Sequence, residues 1–290
     1  MAEDAQATEK LTWFQRGALR RLRRKAGRKK GEPLEPGDWM AVWAFDHDRP
    51  NRIFNRFMRA LPASPRCGAC GAPFAGVGSV VARPLGFRPS RKNPNLCATC
   101  VELSPPGGAK MTAGIMFADL RGFTAASEGA DPADVSATLR RFYGHAEQVL
   151  FPEALIDKLI GDEVMALYLP LRGDVPDEDE LPALMVRHAL ELLAAVGYGT
   201  PEGPFVELGV GLDLGEAFVG NIGDRAVYDF TAVGDVVNTA SRLQGCAAGG
   251  EVFVSERVAA GISDLDATEV EVELKGKAVP QRAYRLQAAG

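Results

Sequence analysis

The fold is set by the stretch TAGIMFADLRGFT at residues 112–124, in which an apolar run ends on Asp119 and enters a glycine-containing turn. The apolar run predicts a buried strand over residues 112–118, so the carboxylate of Asp119 should lie where that strand becomes a loop. Downstream, EALIDKLIGDEVMALYLP (153–170) contains two short apolar runs on either side of a tip that carries Asp162, which predicts a hairpin. The two carboxylates are therefore expected at adjacent strand ends.

The rest of this region alternates helical and strand patterns. Helices are predicted over residues 131–150, where Pro132 occupies the first turn, and over 181–197 and 235–245. The remaining strands are predicted at FVELGVGLDLG, EAFVGNIG, EVFVS, VEVEL and AYRLQ. Strands interleaved with helices of this length predict an α/β or α+β sandwich in which helices cover a sheet.

A pair of carboxylates beside glycine-containing turns suits Mg²⁺-dependent phosphoryl chemistry. Hard cations prefer oxygen ligands, and a pair of such ions activates an attacking oxygen while it stabilises a leaving one. Taken alone, each aspartate would more often form a turn or cap a helix. The metal interpretation therefore depends on the neighbouring motifs.

Three long motifs carry a family resemblance: FADLRGFT (117–124), KLIGDEVMA (158–166) and the run from Gly215 to Leu243. In their order and spacing, the chain resembles the catalytic domain of class III nucleotidyl cyclases (adenylate and guanylate cyclases) over about residues 112–287. The resemblance implies an α+β fold with a ferredoxin-like βαββαβ core that works as a dimer. It also implies conversion of a nucleoside triphosphate to a 3′,5′-cyclic monophosphate and pyrophosphate, with two Mg²⁺ or Mn²⁺ ions per active site.

Carried over position by position, the resemblance implies roles for individual side chains. Metal binding is implied for Asp119, Asp162 and the main-chain carbonyl of Leu120. Base reading is implied for Lys158 and Thr231, and orientation of the ribose with stabilisation of the pentavalent phosphorus for Asn238 and Arg242. Contact with the terminal phosphates is implied for Lys275, with Lys277 as a weaker candidate. Further substrate contacts are implied for Phe123 and Thr124.

The spacing of residues around Asn238 agrees with these roles. Asn238 and Arg242 are four residues apart on a predicted helix, so they share one face. The apolar residues Val236, Ala240 and Leu243 form a separate stripe that is expected to be buried. The helix would thus present an amide and a guanidinium to the same small volume, and guanidinium donors match phosphate oxygens.

The resemblance favours adenine over guanine. Lys158 and the hydroxyl of Thr231 suit the N1 and N6 edge of adenine, whereas guanine-reading members usually have Glu and a small residue such as Cys at these positions. Many members have Asp where this chain has Thr231, and Glu216 stands where some members have a phosphate-facing Arg. We therefore expect an adenylate cyclase, with a guanylate cyclase as the alternative of the same class.

Four of the five cysteines form two CxxC pairs, Cys67/Cys70 and Cys97/Cys100, with 26 residues between the pairs. Paired CxxC knuckles can present four thiolates in a tetrahedron, which is typical of a structural Zn²⁺ site. Four thiolates also suit an iron–sulfur cluster. The sequence therefore predicts a small helical, zinc-ribbon-like four-cysteine module that binds one Zn²⁺, with an iron–sulfur cluster as the alternative.

Composition and charge indicate a globular chain of more than one part. The 290 residues are 46% apolar and 24% charged, and the net charge of −5 is divided into +11 for residues 1–110 and −16 for residues 111–290. The predicted parts are a basic amphipathic leader at 1–37, a helix with the four-cysteine module at 38–103, a linker at 104–111 and the cyclase domain at 112–287.

The leader is the most basic part of the chain, with ten basic and no acidic residues between positions 10 and 30. A basic amphipathic helix suits an anionic membrane surface, nucleic acid, or packing against the rest of the protein. No apolar run reaches the roughly 20 residues that span a bilayer, and the N-terminus does not resemble a secretory signal. We therefore expect a cytoplasmic protein with peripheral membrane contact through residues 10–30.

The expected partners are ATP and a second copy of the chain, with no nucleic acid. The rival hypothesis from another class is a regulator that binds nucleic acid or a protein partner and uses the cyclase fold only as a dimerisation scaffold. A scaffold would be expected to lose some catalytic side chains, whereas this chain has a candidate at each of the implied positions.

Overall fold

The computed structural model describes residues 11–46, 49–62, 65–68, 70–90, 96–151, 153–170, 177–224 and 227–288. The chain folds as two compact units. The first, here called the cysteine unit, consists of Met1–Lys110, Leu171–Asp174 and Phe218–Ala232. The second, here called the sheet unit, consists of Met111–Pro170, Val175–Ala217 and Val233–Gly290. Within the described residues, the helices are all too short or too polar to cross a membrane.

The cysteine unit begins with the leader helix α1, Trp13–Lys25. Its first turn is closed by a capping box, in which Thr12 Oγ1 accepts from Gln15 N while Gln15 Oε1 accepts from Thr12 N. The apolar stripe of α1 is buried at Ala18, Leu19 and Leu22. The leader therefore packs against its own chain, which is one of the predicted alternatives. Membrane contact through its remaining basic face stays a prediction.

Two helices lie between α1 and the cysteines, whereas the sequence predicted one helix with the four-cysteine module at 38–103. A 3₁₀ turn, Pro36–Asp38, precedes two helices, α2 at Trp39–Asp46 and α3 at Arg49–Ala60. Pro50 is the second residue of α3, a position that tolerates the missing N–H, whereas an interior proline would break the backbone ladder. The short helices α4 (Gly78–Ala82) and α5 (Ala98–Glu102) complete the helical part of this unit.

The first strand begins inside the segment expected to be a linker. β1 runs over Gly107–Leu120, so residues 107–111 are extended strand rather than loop. The strand starts directly after the two prolines of the SPPGG sequence, and its first residue, Gly107, has φ +79°, a conformation that glycine tolerates. The two prolines therefore lie directly before β1, and no separate linker follows them.

The remaining elements follow the expected order. They are α6 (Phe123–Ser127), α7 (Pro132–Leu150), β2 (Leu155–Ile160), β3 (Glu163–Tyr168), α8 (Leu181–Val196), β4 (Leu208–Asp224), β5 (Val227–Val233), α9 (Asp235–Cys246), β6 (Glu251–Ser255), α10 (Glu256–Ala260), β7 (Thr268–Val272) and β8 (Gln281–Gln287). β4 is one continuous strand, although two strands were predicted there. Gly215 does not interrupt it, because its φ is not in the left-handed region that would turn the chain.

The described strands form one eight-stranded sheet in the order β2-β3-β1-β4-β6-β8-β7, with β5 paired to β4. The first four strands with their connecting helices make a βαββαβ arrangement, so the predicted α+β, ferredoxin-like core is confirmed. The main hydrophobic core lies where β1, β3 and β4 pack against α7 and α8; its fully buried members include Met116, Phe142, Tyr168, Leu192 and Val210. A smaller cluster beneath α9 contains Leu243, Phe253 and Leu274.

Candidate active site

The two candidate metal-binding aspartates lie at the end of β1 and in the turn between β2 and β3. β1 and β3 pair antiparallel with Asp119 opposite Glu163, and Leu120 N donates to the main-chain oxygen of Asp162 at 3.4 Å. The turns that follow and precede these strands contain Gly122 (φ +68°) and Gly161 (φ +64°), a backbone conformation that side chains disfavour. The structure therefore brings Asp119, Leu120 and Asp162 together, as the sequence predicted.

Negative charge is concentrated at this strand end. Burial raises the pKa of Asp119, Arg121 lowers it, and the Asp162 carboxylate raises it further. Burial also raises the pKa of Glu163 to about 7, helped by the charges of Asp119 and Asp162. The negative charge of Asp162 thus disfavours the ionised forms of Asp119 and Glu163.

This charge distribution fits a divalent cation. Partly buried carboxylates that repel one another lose that repulsion when a cation lies among them, and oxygen is the ligand that Mg²⁺ and Mn²⁺ prefer. Asp119 and Asp162 are the side chains that would hold such an ion. The predicted participation of the Leu120 carbonyl stays a prediction.

Arg121 is a residue whose role the sequence reasoning missed. Its Nη2 lies 3.6 Å from Asp119 Oδ1 and donates to the carbonyl oxygen of Gln244 at 2.8 Å. Gln244 is in the last turn of α9, where carbonyls carry partial negative charge, and its oxygen also accepts from Ala247 N at 3.0 Å. Arg121 therefore ties Asp119 to the end of the helix that carries Asn238 and Arg242.

Tyr143 supports the turn that carries Asp162. Its hydroxyl donates to the main-chain oxygen of Gly161, and its pKa is raised by burial and by the Asp162 carboxylate. Because Tyr143 is in α7, this bond connects the β2–β3 turn to the helix layer. No local motif in the sequence signals such a contact between residues 18 positions apart.

The helix α9 presents Asn238 and Arg242 as expected. Val236, Ala240 and Leu243 are buried, whereas Asn238 is exposed and Arg242 is half-buried. The helix lies close to β4, because a Cβ on Gly211 would overlap the main-chain atoms of Ala240 and Gln244. The absence of a side chain at Gly211 thus allows the helix to approach the sheet.

The turn after β7 lies beside Arg242. A Cβ on Gly276, which has φ +82°, would be 3.5 Å from Arg242 Nη2, so the backbone next to the exposed Lys275 lies beside the Arg242 guanidinium. Lys277 instead binds Asp235 at the start of α9, with 2.7 Å from Nζ to each carboxylate oxygen, and this bond lowers the pKa of Asp235. Contact of either lysine with the terminal phosphates stays a prediction.

The two candidate base-reading residues are on different strands. Lys158 is half-buried in β2, at a register shift between Ile156 and Lys158, and its Nζ is 3.2 Å from the buried carboxylate of Asp157. Thr231 is half-buried in β5 and belongs to the cysteine unit. Their joint action on a base is a prediction.

The remaining predicted site residues are Phe123 and Thr124, which follow β1, and the four cysteines. Phe123 is half-buried and packs against the main core, whereas Thr124 is exposed in the first turn of α6. In the cysteine unit, the Sγ atoms of the four cysteines all lie within 4.8 Å of one another. The structure thus brings together Cys67, Cys70, Cys97 and Cys100 as predicted.

The larger part of the chain is similar to known proteins. The family model described as the adenylate and guanylate cyclase catalytic domain matches residues 108–288. An adenylate cyclase of Anabaena cylindrica is 27% identical over 199 residues, which are 65% of this chain and 39% of that protein. The chain thus spans about two fifths of the length of this curated relative.

Solved structures of similar fold include enzymes of both base specificities. The guanylyl cyclase Cya2 is 27% identical, with a TM-score of 0.55 over 63% of this chain and 95% of that one. The adenylyl cyclase CyaB from P. aeruginosa shares the fold at 23% identity, with a TM-score of 0.53 over 63% of this chain and 96% of that one.

Proposed function

The chain belongs to the adenylate and guanylate cyclase catalytic-domain family, and from this membership we propose that it converts ATP to 3′,5′-cyclic AMP and pyrophosphate. The observation that carries the proposal is the meeting of Asp119 and Asp162 at one strand end, where their charges interact. Arg242 in α9 and Lys275, whose chain neighbour Gly276 lies beside the Arg242 guanidinium, would supply the complementary charge for a triphosphate. Cyclase domains of this family use divalent metal ions and bind nucleotides.

In the proposed reaction, the ribose 3′ oxygen attacks the α-phosphorus. The bond from that phosphorus to the oxygen bridging to the β-phosphate breaks, pyrophosphate leaves, and the hydroxyl proton passes to water. Divalent ions held by Asp119 and Asp162 would lower the pKa of the 3′ hydroxyl and neutralise phosphate charge. Asn238 would orient the ribose, and the Arg242 guanidinium would stabilise charge that develops on the phosphate oxygens.

We propose that the active site is shared between two copies of the chain. The aspartates of one copy would face Lys158, Thr231, Asn238 and Arg242 of the other, as in the family that the sequence resembles. Exposed apolar side chains support such an interface, because Leu159, Ile160 and Val233 are each more than 40% exposed. A homodimer would then contain two complete sites, and a monomer none.

Adenine is the base we propose. Lys158 offers a donor and Thr231 a hydroxyl, which together match the N1 and N6 edge of adenine, where an acceptor and a donor lie side by side. Guanylate cyclase activity is the second candidate, because a relative named as a guanylyl cyclase is similar at 27% identity over 63% of this chain. Turnover with each nucleotide separately distinguishes the two activities.

The experiment that tests the proposal is a turnover assay of the purified chain with ATP and, separately, GTP in the presence of Mn²⁺. We expect cyclic AMP and pyrophosphate in equal amounts, and less product with GTP. The variant Asp119→Asn should lose nearly all of this activity while its circular dichroism stays unchanged. Glu128→Gln, an exposed carboxylate after α6, is the matched control and should retain activity. Full activity of Asp119→Asn would contradict the metal-binding role.

A further inference from the structure

The four cysteine thiols are spaced as ligands of a single ion. Cys70 Sγ and Cys97 Sγ are 3.7 Å apart, Cys67 Sγ and Cys100 Sγ are 4.0 Å apart, and all four atoms lie within 4.8 Å of one another. Two thiolates that share a tetrahedral Zn²⁺ at about 2.3 Å are expected roughly 3.8 Å apart. The spacing of the thiols therefore matches one tetrahedral ion.

The same spacing argues against the iron–sulfur alternative. In a cluster, the four cysteines are divided among at least two iron atoms, so sulfurs bound to different irons must stand farther apart than ligands that share one ion. A centre that holds four sulfurs within 4.8 Å has room for one ion but not for several irons and their bridging sulfides. Zn²⁺ is the ion that this closed, tetrahedral thiolate set favours.

The backbone around the cysteines is arranged to support thiolates. Cys97 N donates to Cys67 Sγ at 3.2 Å, and Cys100 N donates to Cys97 Sγ at 3.3 Å. Outer hydrogen bonds of this kind orient metal ligands and favour their charged form. Cys67, Cys70 and Cys97 are buried and Cys100 is half-buried, so four thiolates at this spacing without a cation would repel one another strongly.

The segment directly after Cys100 is bonded to the β4–β5 hairpin. The side-chain amide of Asn221, in β4, donates to Val101 O at 3.3 Å and to Pro105 O at 3.1 Å. Asn221 is 1% exposed, so losing these acceptors would leave a buried donor unsatisfied. Ser104 Oγ also donates to Cys100 O at 2.7 Å, which fixes the turn between them.

Two further contacts join the same segment to the hairpin. Trp39 is 1% exposed; its Nε1 donates to Pro106 O at 3.3 Å, and its ring centroid is 6.0 Å from that of Phe230 in β5. At the start of β1, a Cβ on Gly108 would overlap the carbonyl oxygen of Val219 in β4. The backbones therefore approach as closely as glycine permits.

We propose that Cys67, Cys70, Cys97 and Cys100 bind one Zn²⁺, and that this ion fixes the β4–β5 hairpin at Phe218–Ala232 through the Val101–Pro106 segment. The ion anchors Cys100, Cys100 positions the carbonyl of Val101, and that carbonyl holds Asn221. Thr231 is on this hairpin, so under the proposed function the ion would also position a base-reading residue. The metal site and its effect on the hairpin do not depend on that function.

The test begins with elemental analysis and acid-labile sulfide of the purified full-length chain. We expect one equivalent of zinc, no sulfide, and loss of the zinc in Cys100→Ser. Cys246→Ser, which changes the exposed cysteine outside the module, is the matched control and should keep its zinc. Iron with sulfide, or no bound metal, would overturn the proposal.

Hydrogen exchange then tests the link to the hairpin. Removing zinc from the wild-type chain with a chelator should speed exchange of the Phe218–Ala232 amides by roughly tenfold or more, while the β2–β3 amides stay unchanged. Asn221→Ala should keep the zinc but show the same faster exchange. This measurement needs no cyclase activity, so it remains valid if the proposed function fails. Unchanged hairpin exchange after zinc removal would contradict the link, even if zinc is present.

Discussion

Glu163 is the direct partner of Asp119 in the antiparallel ladder between β1 and β3, so two carboxylates face the same side of the sheet at its end. Asp162, next along the chain, adds a third carboxylate, and the pKa of Glu163 rises to about 7 because of burial and these neighbours. Without a bound cation, this arrangement costs stability whenever the glutamate is ionised.

Replacing Glu163 should therefore change the pH dependence of stability. The ordinary pKa of a glutamate is 4.5, so between pH 4.5 and about 7 the folded chain binds more protons at this site than the unfolded chain. The free energy of unfolding should fall as pH rises through that window, by on the order of 1 kcal/mol after allowance for solvent screening. Glu163→Gln should lose this decline.

Urea unfolding in a metal chelator, at pH values below and above this window, provides the measurement. At the higher pH, Glu163→Gln should be more stable than the wild type, whereas at the lower pH the two should be similar. Glu128→Gln, which changes an exposed carboxylate, should follow the wild-type profile. A Glu163→Gln chain that is less stable than the wild type at the higher pH would refute this interpretation.

Mixing two inactive variants tests the shared site. Asp119→Asn removes one set of groups and Arg242→Ala the other, so a mixed dimer contains one fully wild-type site and one doubly altered site. Equal amounts should assemble half their chains statistically into mixed dimers and recover about a quarter of wild-type turnover. Each variant alone should be nearly inactive. No recovery after mixing would mean that the sites are not divided in this way.

Base preference should respond to the two base-reading positions. Lys158→Glu together with Thr231→Cys should move the ratio of kcat/KM values from ATP towards GTP, because a carboxylate accepts from the guanine N1–H and N2–H₂ donors. Competition assays with both nucleotides would measure this ratio. Each single variant serves as a control and should lose activity with ATP without gaining it with GTP. An unchanged ATP preference in the double variant would exclude these residues from the base pocket.

The approach of α9 to the sheet predicts a large loss of stability for Gly211→Ala. The new methyl group would overlap backbone atoms of Ala240 and Gln244, which cannot move as a side chain can. We expect a loss of about 2–3 kcal/mol in the free energy of unfolding, measured by urea denaturation. Gly144→Ala is the matched control, because its Cβ meets nothing within 4 Å in α7 and should stabilise that helix slightly. Equal stability of the two variants would contradict the packing argument.

The sequence could predict the parts of the site that local patterns determine. Asp119 and Asp162 were placed correctly because an apolar run and a hairpin tip are short-range signals, and the face shared by Asn238 and Arg242 follows from helical spacing. The roles of Arg121, Tyr143 and Glu163 were missed, because each acts through a contact between different elements. The register between two strands, or a hydrogen bond to a carbonyl distant in sequence, cannot be predicted from the periodicity of a single sequence.

Contacts between residues distant in sequence also determine where the compact units of the chain begin and end. The boundary near residue 110 coincides with a change in composition, but Asn221 and Val101 are 120 residues apart and no pattern connects them. Residues 218–232 lie within the part of the chain that matches the cyclase family. They also belong to the cysteine unit, because the buried Asn221 amide and the Phe230 ring have partners there.

A practical consequence follows from the burial of Phe230 against Trp39. Cutting the chain where the cyclase similarity begins, at residue 108, would strip this phenylalanine of its cover and remove both acceptors of the Asn221 amide. The excised fragment would expose apolar surface and an unsatisfied hydrogen-bond donor, and it would tend to aggregate. Recombinant versions of this chain should therefore start upstream of Trp39, so that a boundary taken from sequence similarity does not divide a folding unit.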